Sequence, residues 1–151
     1  MALDRAILDV HPDPIDVDVE RGRIRQFAIA IGEDDPIYLD RDAALAAGHP
    51  DVPAPPTFLF GLELENSDVF GDLAAHGVDL SQVLHGEQRF RYHAEVYAGD
   101  RVQFRSSYVD VYSKSGGALD FLVRRTIVTR DGDTVAELES VSVIKNTGGP
   151  A

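Results

Sequence analysis

Apolar residues recur along this chain in two rhythms, a helical one in the first half and an alternating one in the second. The segment RGRIRQFAIAIG places Ile24, Phe27, Ala28 and Ile31 at i, i+3, i+4 and i+7, the stripe of an amphipathic helix, with Gly32 as its stop. Ahead of it, PIDVDVER alternates Ile15, Val17 and Val19 with acids, which predicts a half-buried strand. DRDAALAAG reads as a short helix ended by Gly48, and HPDVPAPP as a loop too rich in proline to be helical. Pro56 suits the first turn of a second helix, TFLFGLELE. Its Phe58, Leu59, Phe60, Leu62 and Leu64 are apolar nearly all round, as in a helix buried on most sides. SDVFGDLAAHGVDL predicts one more short helix and a turn.

From about Val83 the period becomes two. HGEQRFRYHAEV, DRVQFRSSYVDVYS, ALDFLVRRTIVTR and TVAELESVSVIKN are four strand-length runs, separated by YAGD, KSGGA and DGD, which supply the Gly and Asp of tight turns. With the early strand they make five. Consecutive strands joined by short turns pair antiparallel, and such a sheet with one greasy helix to cover predicts an α+β fold. A length of 151 residues with 44% hydrophobic positions builds one core, so residues 1–151 are expected to form a single domain.

Charge and composition narrow the function. A net charge of −12 repels polyanions, so nucleic acid is not an expected partner. The chain has no cysteine, which removes thiol nucleophiles, thiolate metal sites and disulfides. Nowhere are there ~18 consecutive apolar residues, and MALDRAILDVHPDP is not built like a secretory leader, so the expectation is a cytoplasmic protein with no membrane partner. None of the five histidines forms a close i, i+4 pair, so no metal is expected. Neither a G-x-G-x-x-G loop nor a G-x-S-x-G elbow occurs.

The stretch GEDDPIY, Gly32 to Tyr38, concentrates the candidate chemistry. Asp35-Pro36 is a usual turn dipeptide and Asp40 a natural N-cap for DRDAALAAG, so capping accounts for Asp34, Asp35 and Asp40. Glu33 has no such role in the sequence. Two histidines in the second half, His85 and His93, are spaced to share one strand face if no bulge intervenes.

The ordered string GEDDPIYLDRDAALAAG, PAPPTF and HGEQRFRYHAEVYAGDRV resembles the MaoC-like (R)-specific hydratases and dehydratases of 3-hydroxyacyl thioesters, most of all the FAS1-like dehydratase subgroup. The resemblance runs from about Val17 to Asn146 and implies a hot dog fold, a five-stranded antiparallel sheet wrapped around a central helix. Catalytic members carry a loop of the form G-D-x-N-P-[LI]-H. Carried over by position, its Asp falls on Glu33, its Asn on Asp35, its Pro on Pro36 and its catalytic His on Tyr38.

Glu33, Tyr38 and His85 are therefore the implied catalytic candidates. Asp35, Pro36, Pro55, Pro56, Thr57 and Phe58 are the implied substrate-binding residues, with backbone donors at the start of the buried helix. The substrate implied is an acyl-CoA or acyl-ACP thioester, with no cofactor. The partner implied is a second copy, or another MaoC-like subunit that carries the intact pair while this chain shapes the acyl channel. A hot dog acyl-thioesterase and a non-enzymatic acyl-thioester-binding module stand as alternatives.

Overall fold

The computed structural model describes residues 3–146. Its five strands are β1 (Ile15–Asp18), β2 (Val83–Tyr92), β3 (Arg101–Lys114), β4 (Leu119–Arg130) and β5 (Asp133–Lys145). They form one antiparallel sheet in the order β1-β3-β4-β5-β2. β3, β4 and β5 make a meander as the turns KSGGA and DGD predict. β2 does not: it pairs with β5 at the sheet edge, not with β3, so the hairpin expected at YAGD is absent.

The reason lies in the proline-rich segment. An extended stretch that cannot form a helix still has amides and carbonyls to satisfy. Here Ala54 N–H donates to the Val96 carbonyl at 2.7 Å and Ala98 N–H to the Val52 carbonyl at 2.9 Å, with Pro53 bridged to Tyr97. Residues 93–100 thus cross from β2 to β3 while paired to the loop before the buried helix.

Four helices accompany the sheet: α1 (Arg21–Ala30), α2 (Arg41–Ala46), α3 (Phe58–Asn66) and α4 (Val69–Ala75). α1 buries Ile24 and Ala28 and packs Phe27 edge-on against Phe58, centroids 5.5 Å apart. Ile31 lies beyond the helix end and is 53% exposed, so the predicted stripe loses its last member. Gly32 then takes φ +76°, the left-handed conformation that glycine tolerates best.

α3 is the buried helix. Phe58, Leu59 and Leu62 sit in one core with Val102, Phe104, Val128, Val135, Ala136 and Leu138 from the sheet. Each of these side chains larger than alanine contributes about 1.5–3 kcal/mol by leaving water. The helix begins at Phe58, so Pro56 precedes it instead of occupying its first turn, and Thr57 between them adopts φ +76°.

In β2 the register shifts between His85 and Glu87. A Cβ on Gly86 would lie 2.6 Å from Val143 Cγ2 and 3.1 Å from the Val141 carbonyl oxygen, so only glycine fits this bulge. The bulge breaks the even alternation from His85 onward, and His93 lies beyond the strand end. The two histidines do not form the same-face pair that their spacing predicts.

Candidate active site

The end of α1 sets the loop from Glu33 to Tyr38. Gly32 N–H donates to the Ile29 carbonyl and Glu33 N–H to the Ala28 carbonyl, closing the helix and turning the chain. The acids that follow organise backbone. Glu33 Oε1 accepts from Asp35 N–H at 3.0 Å, and Asp35 Oδ1 accepts from Ile37 N–H at 3.1 Å, capping the single turn Pro36–Tyr38. Asp40 Oδ1 accepts from Ala43 N–H at 2.8 Å at the start of α2. Asp35 and Asp40 are caps, as their sequence context predicts, whereas Asp34, expected to share that role, is not the cap of either turn.

Tyr38 opens onto a cleft of about 350 Å³ bounded by Pro53 to Pro56, Leu59, and the run Tyr92 to Val96. Burial, and then the negative charges of Glu33, Asp35 and Glu95, push the Tyr38 phenol above its ordinary value. At neutral pH it keeps its proton and acts only as a hydrogen-bond donor or neutral acceptor. Glu33 is half-buried and acts on Tyr38 through its charge; it is not among the residues bounding the cleft. Of the substrate-binding candidates, Pro55 and Pro56 line the cleft, Thr57 and Phe58 stand at the head of α3, and Asp35 and Pro36 lie in the loop leading to Tyr38.

The head of α3 has no side-chain cap of its own. Thr57, a β-branched residue held at positive φ, donates its N–H to the Tyr92 hydroxyl at 3.0 Å. A backbone donor at a buried helix start is the kind of group that stabilises a developing oxyanion. Here an oxygen from the edge strand already takes that place. Burial raises the Tyr92 phenol above its ordinary value, although the bond from Thr57 N–H opposes this.

His85 is not brought to this cleft. It sits near the other end of β2, its ring edge-on to Phe60 at 5.0 Å. Its neighbours in sequence supply the cleft instead. His93 lines it, with Nε2 2.9 Å from Glu137 Oε2. Glu95 also lines it and accepts a bond from the Tyr97 hydroxyl, whose pKa that bond, together with burial, pushes up to about 12. His49 Nδ1 lies 3.4 Å from the same Tyr97 hydroxyl. Tyr92, His93 and Glu95 were hidden in the sequence because HGEQRFRYHAEV reads as one unbroken strand. The signal for them was the proline-rich segment at 50–56, which needs an extended partner to satisfy Val52 and Ala54.

Among the described residues no group of three or more His, Cys, Asp or Glu is placed to hold a metal ion, and no helix is long and apolar enough to cross a membrane. Tyr38 and the Thr57 amide can supply orientation and hydrogen-bond donation, while His93 and Glu95 are the acid–base side chains in the lining of the cleft. Reversible proton transfer by the residue 33 and 38 pair is disfavoured by the raised Tyr38 phenol.

Known proteins resemble this chain in sequence and in fold. The chain is 38% identical over 150 residues to a UPF0336 protein of Saccharopolyspora erythraea, covering 97% of this chain and 94% of that one. It is 40% identical over 117 residues to a UPF0336 protein of Streptomyces coelicolor, covering 77% and 78%. Among solved structures it resembles the C-terminally truncated HadBC (3R-hydroxyacyl-ACP dehydratase) complex of Mycobacterium tuberculosis, with 30% identity, TM-score 0.73 and coverage of 88% and 93%. The ChsH1-ChsH2 complex of the same organism shares the fold at 23% identity and TM-score 0.73, covering 95% and 94%. These likenesses identify the sheet around α3 as a hot dog fold of the MaoC-like dehydratase type. The family model described as FAS1-like, dehydratase domain region, matches residues 8–138, and the chain belongs to that family.

Proposed function

We propose that this chain is the acyl-thioester-binding subunit of a heteromeric 3-hydroxyacyl-thioester dehydratase, shaping the acyl channel while a second MaoC-like subunit carries out proton transfer. The observation that carries this reading is Tyr38. It stands where catalytic relatives carry histidine, and burial and three nearby carboxylates favour its protonated form. Dehydration needs a group that gains and loses a proton near neutral pH; a histidine with a reference pKa of ~6.5 does so, and a tyrosine above ~10 does not. Two further features support it. The Glu33 carboxylate is engaged with Asp35 N–H, and the Thr57 amide already has an oxygen partner in Tyr92. The HadBC and ChsH1-ChsH2 structures it resembles are both named as complexes.

The test is hydration of crotonyl-CoA and of a long-chain enoyl-CoA by the purified chain, alone and mixed with a MaoC-like protein bearing an intact G-D-x-N-P-x-H loop. Background rates alone, unchanged by Glu33→Gln, with turnover restored by the partner, are expected. Turnover by the chain alone that Glu33→Gln removes would make it a self-sufficient hydratase and end this reading. Release of free CoA without hydration would make it a thioesterase.

A further inference from the structure

Both hydrophobic core clusters lie on one side of the sheet. Ala136 and Leu138 of β5 share a core with α3, and Leu122 and Ile144 share the other with Ile7 and Leu73. Strand side chains alternate, so Phe121, Val123, Val141 and Val143 point to the opposite side. A solvated sheet side is normally polar, yet this one carries a row of apolar register partners from four strands: Leu84, Val143, Phe121 and Tyr112. Leu84 is 48% exposed and the other three are half-buried. The Phe121 and Tyr112 rings stack at 4.8 Å, and Lys114 Nζ stands 5.0 Å and 5.5 Å from their centroids.

The rows on either side of this one are charged at their β3 ends, with opposite sign. One runs Asp110, Val123, Val141; the other runs Lys114, Leu119, Lys145. Asp110 and Lys114 lie four residues apart in β3, roughly 13 Å along an extended strand, too far to pair with each other. Both are exposed, and among the described residues neither side chain takes part in an ion pair.

We propose that this face binds a second copy of the chain, sheet against sheet, about a two-fold axis running along the apolar row. Aligned sheets pack ~10 Å apart with their side chains interdigitated. Rotation about the row reverses the strands and lays the row on its own copy, burying Phe121, Tyr112, Val143 and Leu84 of both chains. It also carries the Asp110 row onto the Lys114 row, so Asp110 of each chain stands opposite Lys114 of the other, twice per dimer. Charge selects this occupant. A uniformly acidic or basic partner would meet one of the two residues with its own sign, whereas a second copy meets both with the opposite sign. The face lies across the sheet from α3 and the cleft at its head, so its pairing stands apart from the dehydratase reading.

The full chain is followed by sedimentation equilibrium across the micromolar range, beside Asp110→Lys, Lys114→Asp and the double variant that exchanges the two charges. The wild type is expected to self-associate with rising concentration. Either single reversal sets like charges together twice and should weaken association about tenfold or more, and the double variant should restore it. Both positions are exposed, and unchanged far-ultraviolet circular dichroism and urea midpoints establish that the variants fold. A wild type that stays monomeric, single reversals that leave its association unchanged, or a double variant no better than the singles overturns the proposal.

Discussion

Thr57 is where local conformation and chemistry meet. Holding a β-branched residue in the left-handed region costs about 1–2 kcal/mol, and the return is an amide aimed away from the helix that it precedes. Thr57→Gly is expected to keep that amide in place while relieving strain, raising stability by up to about 1 kcal/mol in a chemical-denaturation midpoint; a loss instead would mean that the threonine side chain packs. Tyr97 permits a second check at this scale. Its phenol is pushed from 10.0 up to about 12, first by its bond to Glu95 and then by burial. The folded pKa exceeds the unfolded one, so the associated stability is present below pH 10 and lost as pH rises towards 12. In Glu95→Gln, near-ultraviolet titration of the phenols should show Tyr97 ionising closer to its ordinary value.

Among the elements, α3 is held to the sheet by grease along most of its length and by charge at one point. Glu63 lies on its buried side and pairs with Arg124 of β4. Glu63→Ala leaves a guanidinium buried without its partner and should cost about 3–5 kcal/mol in thermal or urea unfolding. The joint replacement of Glu63 and Arg124 by methionine should recover most of that loss; if it does not, the pair contributes more than its own neutralisation. This polar anchor was not legible in the sequence, because the run FLFGLELE looks uniformly apolar until Glu63, and a lone acid there reads as surface. What was legible followed from short-range rules: the period of α1, the glycine that ends it, the caps at Asp35 and Asp40, and the four long strands. The pairing of β2 with β5 was not, because it depends on where residues 93–100 find partners, more than 40 residues away in the chain at Val52 and Ala54.

Over the whole molecule, a single buried carboxylate ties together the two ends of the described chain. Asp120 accepts from Leu3 N–H at 2.7 Å, Asn146 Nδ2 at 2.8 Å and Ser113 Oγ at 2.5 Å. Burial by itself would raise its pKa, but these donors outweigh it and hold the carboxyl below the usual range. The stability that it contributes is therefore present above the unfolded carboxylate value of ~3.9 and lost as pH falls through the lower folded one. Asp120→Ala should cost about 2–4 kcal/mol near neutral pH and flatten the acid limb of the stability profile, measured by urea midpoints across pH.

The bond between Thr57 N–H and the Tyr92 hydroxyl reaches further than its own geometry. Tyr92 ends β2, an outer strand of the sheet, whereas Thr57 heads the helix at its centre. Any oxygen that takes the amide must first displace the phenol, and anything seated along β2 that turns Tyr92 aside leaves the amide vacant. The two events are thermodynamically linked: whatever factor a neighbour on β2 applies to occupancy of the amide, occupancy of the amide returns to that neighbour.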